Sequence, residues 1–276
     1  MITFTNGRAL GYDDVGAGIP VLFLHGFPHN RSLWSPQLGA LAAPARTICM
    51  DLRGFGESAA VAEEGPADDT AAGGHWGVDG YADDAAALLD ELALDRVVVA
   101  GLSMGGYAAL AFWRRHRGRV RALVLCDTRA TADTDAARLA RTEMQALAHE
   151  RGSSAVANQM ITGMVGRTTR EKHPELVDEL HRMMSLAPVA GVVGALDALR
   201  NRPDSTPTLP TIDVPTLIVV GDEDVLTPVT DARAMHLAVA GSRLEVIAGA
   251  GHVSNMERPA AFNHILSEFL VSLTAQ

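Results

Sequence analysis

Residues 101–108 read "GLSMGGYA", a serine between glycines that follows four apolar residues, Val97 to Ala100, and precedes an alanine-rich stretch. A strand, a sharp turn and a helix in that order would present the Ser103 Oγ at the strand's carboxyl end, and Gly101 and Gly105 leave the space such an elbow needs. A glycine-packed strand–helix junction would use the same residues, so the rest of the chain must decide. A serine hydroxyl attacks a carbonyl near neutral pH only when a base takes its proton. Of the ten histidines, His116, His149, His173, His181, His236 and His264 fall in polar helical contexts and His75 in a small-residue, acidic loop. His25 lies inside the turn "FLHGFPHN", where it can hold the loop by hydrogen bonds. His252 differs: "VIAGAGHVSNMERP" sets it in a glycine-rich loop between the last apolar run and the final helical segment.

The base in turn needs an acid to orient it, and serine, then acid, then histidine is one established chain order for a nucleophile on such an elbow. "GDEDVLTP" offers Asp222, Glu223 and Asp224. Asp224 reaches furthest into the loop and is the preferred partner of His252, with Asp222 and Asp127 as rivals. Two backbone donors would complete the site by binding a developing oxyanion. The amide of Met104, directly after the serine, is one, and the amide of Phe27 beside Gly26 is the other.

The elements that must position these residues are legible as apolar runs. "ALGYDDVG" (9–16), "IPVLFLHG" (19–26), "RTICMD" (46–51), "RVVVAG" (96–101), "VRALVLCD" (120–127), "PTLIVVG" (215–221) and "SRLEVIAG" (242–249) predict strands. Helical periodicity at 32–41, 79–93, 104–117, 229–240 and 258–273 alternates with them, which predicts a mostly parallel sheet covered on both faces, with its chemistry at the strands' carboxyl ends. Residues 129–204 break the alternation with helical patterns at 133–150, 153–163, 174–186 and 189–200, and "NRPDSTPTLPTIDVP" (201–215) returns the chain to the sheet. The expected organisation is a core of 1–128 and 205–276 with a helical cap, 129–204, inserted into it.

A chain of 276 residues, 47% hydrophobic, suffices for one large domain of this kind. Its formal net charge of −10, with no Lys/Arg run longer than a pair, excludes nucleic acid and anionic membrane surfaces as expected partners. Cys49 and Cys126 each follow apolar runs and are expected as reduced core residues. The amino terminus has neither a basic leader nor a long apolar stretch, which gives the cytoplasm as the default expectation. No metal-ligand cluster or dinucleotide loop is apparent, so no cofactor is expected.

Together, "HGF", "DLRGFGES" (51–58), "GLSMGG", "GDEDVLTP" and "GAGHVSNMERP" resemble, in order, the motifs of the α/β-hydrolase superfamily. The pattern looks most like small bacterial carboxylesterases and 3-oxoadipate enol-lactonases. The resemblance implies an eight-stranded, mostly parallel sheet, Ser103, Asp224 and His252 as triad, the Phe27 and Met104 amides as oxyanion hole, and 129–204 as cap. Arg53, Gly54 and Gly56 are structural in this pattern. Related dehalogenases and epoxide hydrolases use an aspartate where Ser103 stands. Carbon–carbon hydrolases often carry tryptophan where Val253 stands. Cofactor-free perhydrolases share "SMGG", which keeps peracid formation as an alternative, and a non-catalytic binding or signalling protein on the same fold is the alternative from another class.

Met144, Met160, Met164, Met183 and Met184 are soft side chains suited to an adaptable apolar acyl pocket, and equally to the interior of the helical segment. Of these, Met144, Met160, Met164 and Met183, with His29 and Val253, are the candidate pocket residues. No cap arginine is assignable to a substrate carboxylate, although Arg129 lies just past a strand end; a small, largely apolar ester or lactone is therefore the expected substrate.

Overall fold

The computed structural model describes residues 1–5, 8–41, 45–61 and 76–274. Eight strands form one sheet in the order β1-β2-β4-β3-β5-β6-β7-β8. They are β1 (Ile2–Thr5), β2 (Arg8–Gly16), β3 (Ile19–Leu24), β4 (Ala45–Met50), β5 (Val97–Leu102), β6 (Val120–Cys126), β7 (Thr216–Gly221) and β8 (Arg243–Ile247). β1 pairs antiparallel with β2 and β2 antiparallel with β4 at one edge, and the other five pairs are parallel. β1 has no counterpart among the strands expected from sequence: Ile2 and Phe4 are exposed, so no buried run announces it.

Alternate side chains of each parallel strand feed two separate cores. Leu22, Leu24, Ile48, Val97 and Val99 pack on the face covered by α1 (Val78–Glu91) and α2 (Met104–His116). Val21, Phe23, Cys49, Val98 and Ala100 pack on the other, against Trp34 and α9 (Pro259–Ser272). Burial on both faces is why these strands read as unbroken apolar runs. Cys49 and Cys126 are free and buried, and burial pushes both thiols above their ordinary range.

Between β6 and β7 the chain forms α3 (Asp135–Met164), α4 (Arg167–Lys172), α5 (Pro174–Ser185) and α6 (Val189–Asn201). The two helices expected at 133–150 and 153–163 are one element kinked at Gly152, whose φ of 76° takes the residue out of helical geometry. α4 was not expected: it is six residues long and largely polar, with no apolar period to reveal it. Residues 32–41, expected as a helix, instead hold a short 3₁₀ turn, Arg31–Trp34, capped by the Asn30 side chain, followed by further turns. The chain continues from β7 through α7 (Val229–Ala238) and from β8 through α8 (Ser254–Glu257) to α9. Most of the expected loop at 59–76, His75 included, lies outside the described residues. No single described helix is long and apolar enough to cross a membrane.

Candidate active site

Ser103 sits between the end of β5 and the first residue of α2 with φ 53° and ψ −111°. A non-glycine residue pays roughly 1–3 kcal/mol for such a conformation, so the surroundings must hold it. They do so through Ser103 N donating to the Cys126 carbonyl at 2.9 Å and the Ser103 carbonyl accepting from Gly106 N at 2.9 Å and Thr128 Oγ1 at 2.8 Å. The flanking glycines have a steric cause: a Cβ on Gly101 would lie 2.1 Å from the Gly105 oxygen, and one on Gly105 would lie 2.0 Å from the Leu24 oxygen.

His252, fully buried in the loop after β8, places Nε2 2.8 Å from Ser103 Oγ and Nδ1 2.8 Å from Asp224 Oδ2. With Nδ1–H donating to the carboxylate, Nε2 carries the lone pair and accepts from the serine hydroxyl. Asp224 is anchored independently of the histidine: it accepts from Leu226 N at 2.8 Å, Thr227 N at 3.0 Å and Thr227 Oγ1 at 2.7 Å. Burial raises the Asp224 pKa, but the His252 charge and these hydrogen bonds outweigh it, and the carboxyl is held below its ordinary range. Burial likewise lowers the His252 pKa, and the Asp224 charge and hydrogen bond reverse that to a net rise.

Asp127, at the end of β6 with φ 44°, is a second buried carboxyl in reach of this centre. Its Oδ1 faces Gly221 N at 2.9 Å and its Oδ2 faces Ser254 Oγ at 2.6 Å and Ser254 N at 3.2 Å. It makes no hydrogen bond to His252. Burial, reinforced by the negative charge of Asp224, pushes its pKa up to about 8. The third acid weighed from sequence, Asp222, accepts from Gly249 N at 2.7 Å. His25 has both ring nitrogens engaged within its own layer, Nδ1 donating to the Gly26 carbonyl and Nε2 accepting from Leu52 N, each at 2.9 Å. Arg53, buried, pairs with Asp84 through two nitrogens at 2.7 and 2.8 Å.

A cavity of about 260 Å³ opens onto the serine and histidine. Phe27 lines it, after a turn packed on the end of β5, where a Cβ on Gly26 would lie 3.0 Å from Leu102 Cδ2 and 3.3 Å from the Leu102 carbonyl oxygen. Met104, buried, is the opening residue of α2. Met144, Met160 and Met164 also line the cavity, whereas three expected pocket residues do not. Met183 packs toward the core that contains Trp34 and Phe262. Val253 is wholly buried in that same core, because the chain after His252 turns inward. His29 is buried with neither ring nitrogen hydrogen-bonded to any described residue, and burial, with the charges of His25 and His252, lowers its pKa to about 3.

The cavity wall also contains Arg129, Arg141, Gln159 and Thr227. Of these the sequence singled out only Arg129; nothing in the sequence marks which face of a long helix carries Arg141 and Gln159 inward.

Two glutamates fasten the helical segment to the loops that carry His252 and Asp224. Glu257 accepts from Gly166 N with Oε2 and from Gly251 N with Oε1, both at 2.8 Å. Glu223 accepts from Thr168 N at 2.7 Å and Thr168 Oγ1 at 2.6 Å. His252 N donates to the Met164 carbonyl at 3.1 Å, and a Cβ on Gly251 would lie 2.2 Å from Gly166 N.

A buried Ser–His–Asp relay at the carboxyl end of a mostly parallel sheet is an arrangement found among serine hydrolases. Residues 19–259 match the family model described as alpha/beta hydrolase fold, and the chain belongs to that family. It is 30% identical over 258 residues to 3-oxoadipate enol-lactonase 2 of Acinetobacter baylyi, covering 93% of this chain and 91% of the relative. Among solved structures, a malate-bound thermophilic esterase from Thermogutta terrifontis is 37% identical with a TM-score of 0.89, over 99% of this chain and 97% of that one. The enol-lactonase from Burkholderia xenovorans is 26% identical with a TM-score of 0.86, over 98% of this chain and 100% of its own. Both the eight-stranded architecture and the resemblance read from the motifs are thereby established.

Proposed function

We propose that the protein is a serine hydrolase that cleaves carboxylic esters or lactones of small substrates through an acyl-enzyme. The observation that carries this reading is the continuous hydrogen-bonded line from Ser103 Oγ through His252 to Asp224, each link 2.8 Å, opening onto a cavity. Ser103 Oγ attacks the carbonyl carbon while His252 Nε2 takes its proton; the imidazolium then gives that proton to the departing alkoxide. Water repeats the sequence on the acyl-enzyme and releases the acid. Asp224 holds the tautomer and stabilises the imidazolium, and the amides of Phe27 and Met104 receive the oxyanion. In this reading 129–204 is the cap over a core of 1–128 and 205–276. The printed names of the relatives, esterase and enol-lactonase, support both ester and lactone as the reacting group.

The test is hydrolysis of p-nitrophenyl butyrate by the wild type and Ser103→Ala. Removing a nucleophile of this kind costs on the order of 10⁶ in kcat. Full activity in the variant overturns the reading.

A further inference from the structure

We infer that Arg129 is a positioning residue of the hydrolytic centre, a further member of the line that runs from Ser103 through His252 to Asp224. This deepens the proposed reaction and rests on Ser103 and His252 being its nucleophile and base.

Consecutive residues after β6 each hold one part of that line. Asp127 bonds Ser254, just beyond His252, and Thr128 Oγ1 donates to the Ser103 carbonyl at 2.8 Å. Arg129 takes the remaining part: its Nη2 donates to the Leu226 carbonyl at 2.5 Å. That carbonyl belongs to the peptide group whose N–H, on Thr227, donates to Asp224 Oδ1 at 3.0 Å. A single peptide unit therefore stands between the guanidinium and the carboxylate, its oxygen toward the cation and its N–H toward the anion. Hydrogen bonds in such a chain polarise one another, so the cation strengthens the N–H as a donor to Asp224. Leu226 N donates to the same carboxylate oxygen at 2.8 Å, and Arg129 thus steadies a turn that faces Asp224 with two amides. The guanidinium has little else to hold it. Among the described residues its Nε is buried with no hydrogen bond, and the Asp231 carboxylate stands 3.8 Å away, too far for one.

Arg129 also lines the cavity with His252, which gives its charge a second effect. The charged and titratable groups around His252 are Asp224, Asp127 at the end of β6, Arg129, His29 in the turn after β3, Glu257 on α8, and Arg141 on α3 in the cavity wall. Burial disfavours the imidazolium, Asp224 and then Asp127 favour it, and Arg129 opposes those two acids. The cation keeps Nε2 free to take the serine proton at a lower pH than the carboxyls alone would allow.

The experiment follows kcat/KM on p-nitrophenyl butyrate against pH in the wild type, Arg129→Met, Arg129→Gln and Arg129→Lys. Arg129→Met loses donor and charge together; kcat is expected to fall about 10- to 100-fold and the acid limb to move up by roughly half to one pH unit. Arg129→Gln keeps an amide donor without the charge, so it should lose less kcat and show the same upward shift. Arg129→Lys keeps the charge, and its limb should stay with the wild type. A residue that served the fold alone would lower the melting temperature and leave the limb in place. A limb unmoved in both neutral variants, or moved as far in Arg129→Lys as in them, overturns the proposal. Should Arg129→Met not fold, the Gln and Lys variants decide it. Titration of the His252 ring nitrogens by ¹⁵N NMR, with the signal identified by its loss in His252→Gln, reads the same shift without turnover. A higher midpoint in Arg129→Gln than in the wild type supports the role of Arg129 even if no ester is cleaved, and an equal midpoint overturns it. Failure of Arg129 and failure of Ser103 as nucleophile are thereby read separately.

Discussion

The end of β6 and the loop after β7 each bring a buried aspartate to the same histidine, and the two carboxyls are treated in opposite ways. Asp224 hydrogen-bonds His252 and three donors of its own loop, so its charge is held. Asp127 ties the strand end of β7, through Gly221, to the residue two places after His252, through Ser254, and its carboxyl is pushed up to about 8 by burial and by its neighbour's charge. Two carboxylates so close in an apolar setting do not both ionise readily. A buried acid near the base is thus not sufficient to orient it: both carboxyls face three donors of their surroundings, and of the two it is Asp224 that is also hydrogen-bonded to His252.

The comparison is broken most directly at Asp224. Asp224→Asn is expected to lower kcat on p-nitrophenyl butyrate by about 10⁴, because the amide cannot hold the imidazole in the required tautomer. Thr227→Val removes the hydroxyl that donates to Asp224 at 2.7 Å and lies 3.2 Å from His252 Nδ1. A hydrogen bond to a charged group contributes about 1.5–3 kcal/mol, so kcat should fall about 10- to 100-fold and the structure remain intact by circular dichroism.

Asp127→Asn should cost less than about tenfold at pH 7, since the amide resembles a carboxyl that keeps its proton there. A loss equal to that of Asp224→Asn would erase the distinction between the two acids. The same variant has a signature in stability. With a folded-state pKa near 8 against an ordinary value of about 3.9, Asp127 binds a proton in the folded chain that the unfolded chain has released. Its contribution to stability is therefore greatest below about pH 4 and is lost as pH rises toward 8. The melting temperature of Asp127→Asn relative to the wild type should accordingly rise between pH 5 and 8.

Much of this centre was legible in the residues because strand ends concentrate the chemistry and glycines mark the tight approaches. Ser103, Asp224 and His252 stand at three such ends, and the structure brings them into line. Asp127, weighed as a rival, also arrives at the centre, and only its hydrogen-bond partners, from β7 and α8, distinguish it. The pocket was less readable. Met144, Met160 and Met164 face the cavity, while Met183 lies on a helix whose rotation turns it elsewhere, and Val253 is drawn into the core by a turn no local pattern announces. Arg141 and Gln159 sit on the kinked α3, where a polar residue reads as solvent-facing until the helix is docked. β1 and α4 were missed for the complementary reason: a short exposed strand and a short polar helix have no buried face to leave a periodic trace.

The glutamate ties across Gly166 and Thr168 make an interlock. Lifting the end of α3 and the start of α4 off the sheet would pull on Gly251 through Glu257 and on the acid loop through Glu223, and would break the bond from His252 N to Met164. The wall of the cavity and the loops holding His252 and Asp224 are thus fastened at one seam, and neither can be displaced there without loosening the other.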